Sequence, residues 1–84
     1  MNDLEFDILD ELYFIIPFQE LFNKLQLEKS QLFDSLSILI RKGFVRCYKA
    51  DLELEIHEIE FKLDKFEEYK FLASKKGLME HNTL

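Results

Sequence analysis

The stretch LIRKGFVRCYK, residues 39–49, contains the point at which the hydrophobic period of the chain changes. Before Gly43, apolar residues recur every three or four positions, which is typical of a helix. After Gly43, side chains alternate as in a strand, which puts Arg46 and Cys47 on opposite faces. Glycine adopts the left-handed conformation that ends many helices without steric cost. We therefore predict a helix that ends at Gly43 and a strand over residues 44–49.

Three helices are predicted ahead of this strand. The first covers residues 3–16, can be capped by Asn2 or Asp3, and ends before Pro17 because the residue preceding a proline avoids the helical region. The second covers residues 18–25, and the third follows a short connection around residues 26–28. Helices joined by such short turns predict a helix-turn-helix layout.

The first helix carries two apolar stripes, which is more than one core face needs. The second stripe consists of Phe6, Leu9, Tyr13 and Ile16. Either the helix is buried on most of its sides, or the second stripe forms a surface for a partner. A three-helix core of this size cannot easily cover both stripes, so we expect a homodimer.

The last third of the chain is predicted to return to the sheet. Alternation over residues 69–72 predicts a second strand, and Ser74 can cap a short final helix that runs through Met79. Residues 50–66, between the two strands, fit both a helical and an alternating period. Their β-branched and aromatic content favours extended strands with a break near residues 57 and 58.

The composition is that of one small domain over residues 1–84, with 48% hydrophobic residues. Cys47 is the only cysteine, so an internal disulfide is excluded and a reducing compartment, the cytoplasm, is expected. The acidic N-terminus is unlike a secretory signal. The longest unbroken apolar run, residues 12–16, is too short to span a bilayer, so we expect no membrane partner.

The formal net charge of −6 is unevenly distributed along the chain. Residues 24–49, here called the basic block, carry six bases and two acids. Residues 1–23 carry six acids and no base, and residues 50–68 carry eight acids and two bases. The net charge disfavours nucleic acid, whereas the basic block falls on the predicted third helix and the strand after it.

Two motifs resemble the winged-helix domains of small bacterial transcription regulators: LIRKGFVRCY at residues 39–48 and YKFLASKKGLMEH at residues 69–81. The resemblance covers nearly the whole chain. It implies a mainly α fold with a small β-hairpin (α+β), in the order helix-helix-helix-strand-strand-helix, with residues 50–66 as an acidic wing insertion. The second motif also resembles small uncharacterised bacterial proteins. The matching positions are Leu39, Lys42, Gly43, Phe44, Val45, Arg46, Tyr69, Leu72, Lys76 and Gly77.

The resemblance implies a DNA-binding domain that places its third helix in the major groove. Serine, glutamine and arginine side chains on that helix can reach base edges or phosphates, and flanking lysines can contact phosphates. We predict that the following residues bind double-stranded DNA: Lys29, Ser30, Gln31, Ser35, Arg41, Lys42, Arg46 and Lys49.

The wing departs from the DNA-binding pattern, since it is acidic where those regulators often carry lysine or arginine. This favours an alternative, a protein-interaction module on the same scaffold, in which the acidic wing and the first helix dock onto another protein. The partner-binding residues would then be Glu53, Glu55, Glu58 and Glu60.

No motif indicates an enzyme, a cofactor or a metal. Asp51, Glu53 and Glu55 have the spacing that begins an EF-hand loop, but Ile56 and Lys62 stand where that loop needs glycine and glutamate. The two histidines and the cysteine lack the spacing of zinc ligands. Two glycines cannot build a phosphate loop. We expect a non-catalytic domain.

Overall fold

The computed structural model describes residues 2–49 and 68–82, and a strand at residues 54–56. Within these residues the chain is mainly helical with a small antiparallel sheet, as the α+β prediction requires. The elements are α1 (Asp3–Glu11), β1 (Ile16–Pro17), α2 (Phe18–Leu25), α3 (Lys29–Arg41), β2 (Val45–Lys49), β3 (Leu54–Ile56), β4 (Tyr69–Ala73) and α4 (Lys75–Asn82).

The sheet has the strand order β1-β4-β2-β3. The predicted pairing of the two longer strands is confirmed, since β2 and β4 are antiparallel with Cys47 opposite Phe71. Two short strands extend the sheet on either side, and the sequence prediction did not include β1. Pro17 in β1 lies at the edge of the sheet, the position where a strand tolerates a residue without an N–H.

Residues 50–66 are described only in part. The strand β3 pairs with β2 and agrees with the predicted extended conformation. The predicted break near residues 57 and 58 lies outside the described residues, as do the other residues between 50 and 53 and between 57 and 67.

The first helix is shorter than predicted. It ends at Glu11, not at residue 16, and residues 12–15 lead into β1. The apolar period continues through this segment, but a tertiary bond intervenes, because the carbonyl of Leu12 accepts from the N–H of Ala73 in β4 at 2.9 Å. The chain therefore leaves the helix in order to join the sheet.

The helix termini follow the predicted capping signals. Asn2 caps α1, because its side-chain oxygen accepts from the N–H of Glu5 at 2.8 Å. Gly43, with φ of 79°, ends α3 in the left-handed region. The hydroxyl of Ser74 accepts from the N–H of Gly77 at 3.1 Å at the start of α4. The chain-terminal helix runs three residues beyond the predicted Met79.

The second apolar stripe of the first helix is partly covered by the chain itself. The ring of Phe6 stacks on His81 of α4 with ring centroids 4.2 Å apart, and Leu9 is fully buried. The hydroxyl of Tyr13 lies 3.0 Å from both His81 Nδ1 and the side-chain oxygen of Asn82, and 43% of Tyr13 is exposed. The final helix thus covers a surface that was assigned to a second subunit, and the homodimer stays a prediction.

Tyr13→Phe is expected to lower the free energy of unfolding by about 1 kcal/mol, because it removes the hydroxyl that joins residues 12–15 to α4. Urea denaturation followed by circular dichroism measures the change. Tyr48→Phe is the matched control, since within the described residues the Tyr48 hydroxyl has no hydrogen-bond partner. Equal stability of both variants would contradict the structural role of Tyr13.

None of the helices in the described part of the chain combines the length and the apolar composition that crossing a bilayer demands.

Candidate functional site

A short turn separates α2 from α3, and one face of α3 is exposed. α2 ends at Leu25, its C-cap Gln26 is left-handed with φ of 54°, and α3 begins three residues after that cap. Its inward face, formed by Leu32, Leu36 and Leu39, is fully buried in the core. The opposite face is exposed and mainly polar. Its exposed members are Lys29, Ser30, Gln31, Asp34, Ile38 and Arg41.

Four of the eight predicted DNA-binding residues share this exposed face. Lys29, Ser30 and Gln31 occupy the first turn of α3, and Arg41 is its last residue. Ser30 and Arg41 are eleven residues apart, which places them on the same side of the helix and roughly 16 Å from each other along its axis. The face therefore offers hydrogen-bonding side chains along its whole length.

The prediction that Ser35 faces outward is wrong. Only 9% of Ser35 is exposed, because it lies three residues after Leu32 and next to Leu36 on the inward side of α3. The prediction relied on the polarity of serine, although the position of Ser35 in the helical period places it on the core side of α3. Ser35 cannot reach a base edge.

The side chain of Lys42 is engaged within the fold. Its ammonium nitrogen lies 3.2 Å from Oε1 of Glu5, whose carboxylate is buried, with 4% of the residue exposed. The other oxygen of the same carboxylate accepts from the N–H of Asn2 at 3.2 Å. Lys42 therefore neutralises a buried carboxylate and ties the start of α1 to the end of α3.

Two further cations of the basic block have acidic partners. Lys24 lies 3.5 Å from Glu11 of α1, and Lys49 lies 3.5 Å from Glu68. Like Lys42, both cations pair with carboxylates that come from outside the block. Lys29 lies over the ring of Phe22, at 5.7 Å from its centroid. The positive potential at α3 is consequently weaker than the charge of the block suggests.

Arg46 does not join the α3 surface. It is exposed, whereas its neighbours Val45 and Cys47 are buried on the side of the sheet that faces the core. The side of the sheet turned away from the core, here called the outer sheet face, includes Arg46 and Tyr48 of β2 and Lys70 and Leu72 of β4. The sheet register sets Tyr48 opposite Lys70. The predicted set is thus divided between two surfaces.

Of the predicted partner-binding residues, Glu55 lies in β3 and is opposite Tyr48 in the sheet register. Glu53, Glu58 and Glu60 lie outside the described residues. The acidic wing surface is therefore described at one position only, by its backbone.

Several residues that shape the surfaces were not predicted from the sequence. Phe14 is 80% exposed and Ile15 is 48% exposed, in the turn between α1 and β1, where a continuous helix had been predicted. Glu5 could have been found, because Asn2 and Glu5 have the spacing of a capping box. Its pairing with Lys42, 37 positions away, leaves no local signal.

Comparison of the chain with protein-family models, with curated proteins and with solved structures finds no match, so no relative assigns a role to any of these residues.

Proposed function

We propose that the chain is a non-catalytic winged-helix domain that binds double-stranded DNA through the exposed face of α3, with few phosphate contacts. The order of elements supports the fold assignment. Three helices precede a hairpin formed by β2 and β4. The short β1, which follows α1 and precedes α2 in the chain, also joins the sheet. The segment between β2 and β4 has the place of a wing.

The observation that carries the DNA assignment is the exposed polar face of α3 behind a three-residue turn. A helix fits the major groove, which is about 12 Å wide. Gln31 is a side-chain type that reads adenine there, and Arg41 can contact phosphates. Asp34 is the one acidic residue within α3. The fold therefore presents base-reading groups without a strong electrostatic attraction.

Fluorescence anisotropy of a labelled mixed-sequence duplex over a salt series tests this proposal. If Lys24, Lys42 and Lys49 keep their ion pairs, the logarithmic slope of affinity against salt should be shallower than about −5, the value expected if all six cations of the basic block neutralised phosphates. Arg41→Ala should weaken binding on every sequence, and Gln31→Ala should relax preference at one base pair. Arg46→Ala, on the outer sheet face, is the control and should leave binding unchanged.

The DNA proposal fails if no duplex binds at low salt even after the acidic wing is neutralised. That variant replaces Glu53, Glu55, Glu58 and Glu60 with glutamine. It also fails in its geometry if Arg46→Ala weakens binding as much as Arg41→Ala does, because the contact would then lie on the outer sheet face.

A protein-interaction module on the same scaffold is the second candidate. The ion pairs of Lys24, Lys42 and Lys49 favour it, as does the exposure of Phe14. In this version the acidic wing and α1 dock onto another protein, and the four wing substitutions should abolish that docking. If the DNA proposal holds, the same substitutions should instead strengthen DNA binding. The same variant therefore distinguishes the two candidates by the sign of its effect.

A further inference from the structure

A concavity of about 260 Å³ lies beside the outer sheet face, lined by Ile15, Tyr48, Lys49 and Lys70. Sites for small molecules usually enclose roughly 300 to 1,000 Å³, and this concavity is smaller. Its size suits a single inserted side chain. Ile15 and the ring of Tyr48 give it an apolar wall, and the two lysines supply positive charge at its edge.

The charge of this concavity is not balanced by the described residues. Lys49 pairs with Glu68 at 3.5 Å. In contrast, among the carboxylates whose side chains the structure describes, none lies within ion-pair distance of Lys70. A partner that brings a carboxylate could pair with Lys70.

Phe14 extends the apolar surface at the same turn. It is 80% exposed and precedes Ile15 directly in the chain. An exposed aromatic side chain next to a half-exposed isoleucine is the kind of anchor that protein interfaces bury. The apolar wall, the positive charge of Lys70 and the exposed ring of Phe14 together indicate one occupant. This occupant is a peptide that is both acidic and apolar.

We propose that this concavity and Phe14 form a docking site for an acidic segment of a partner protein. The segment inserts one large apolar side chain between Ile15 and Tyr48 and pairs a carboxylate with Lys70. The site is separate from the exposed face of α3, so it does not depend on DNA binding.

A fluorescein-labelled heptapeptide with one phenylalanine flanked on each side by three glutamates is the probe. Its binding to the full chain, followed by anisotropy at low salt, should be saturable. Matched peptides carry alanine for the phenylalanine, or lysine for the glutamates, and both should bind at least about tenfold more weakly. Lys70→Glu and Ile15→Ser should each weaken binding of the first peptide by about tenfold.

Lys75→Glu is the matched control for Lys70→Glu. It makes the same change of charge at the start of α4, beyond the end of β4. It should change the affinity by less than about twofold. Circular dichroism of each variant should match the parent, which separates loss of binding from loss of fold.

Three results would overturn the proposal. One is binding by general charge attraction alone. It would show either as equal weakening of peptide binding by Lys70→Glu and Lys75→Glu, or as peptide binding that does not saturate. Another is displacement of the peptide by duplex DNA together with loss of DNA binding in Lys70→Glu, which would assign this face to DNA. The third is a concentration-dependent dimer that Ile15→Ser dissociates, which would make a second copy the occupant. The peptide-binding and dimerisation readouts do not depend on DNA binding by α3.

Discussion

Gly77→Ala is expected to destabilise the fold by about 3 kcal/mol or more, although alanine is the better helix former by about 1 kcal/mol. A Cβ atom at position 77 would lie 2.1 Å from the carbonyl oxygen of Phe44 and 2.9 Å from its carbonyl carbon. The helix cannot easily retreat, because the same oxygen accepts from the N–H of Ser74 at 2.9 Å. Urea denaturation followed by circular dichroism measures the loss.

Gly43→Ala is the matched control for this prediction. Gly43 needs its left-handed φ of 79°, but a Cβ there would meet only Lys76 Cδ at 3.9 Å. Its cost should be the strain of a left-handed alanine, about 1 to 2 kcal/mol. If Gly77→Ala proves as stable as the parent chain, or more stable than Gly43→Ala, then α4 does not approach the start of β2 as closely as described.

The segments predicted most accurately are those whose own residues show both the spacing of the apolar side chains and the residue at which the helix ends. α2 agrees with its predicted range, and α3 ends at the glycine that was assigned to its end. Gly43 and Ser74 act through backbone geometry and hydrogen bonds within a few residues. Signals of this range can be read from a sequence without knowledge of the fold.

The errors arise where distant residues decide the structure. The apolar spacing predicted that α1 continues to residue 16, but the bond from Ala73 to Leu12 joins positions 61 apart and diverts the chain into β1. Charge along the sequence likewise predicted a basic surface. It could not show that Glu5, Glu11 and Glu68 neutralise three of its cations. The α3 face was therefore predicted in outline, and its electrostatics were not.

Replacing phenylalanine by alanine should affect stability strongly at position 18, in the core, and weakly at position 14, in the exposed turn between α1 and β1. Phe18 is fully buried, with its ring centroid 6.1 Å from that of Phe71 and 6.5 Å from that of Phe22. Phe18→Ala should cost about 3 to 5 kcal/mol, from lost burial and the cavity that remains. A domain of this size has little more stability than that, so the variant should be largely unfolded at room temperature.

Phe14→Ala removes the same atoms from a side chain that is 80% exposed, and should change stability by less than about 0.5 kcal/mol. Thermal melts of both variants, followed by circular dichroism, measure the contrast. Similar melting of the two would mean that Phe14 is covered, which would remove the apolar anchor from the proposed docking site. A folded Phe14→Ala that no longer binds the acidic peptide would instead tie that exposed ring to recognition, because burial in the core could not account for the loss.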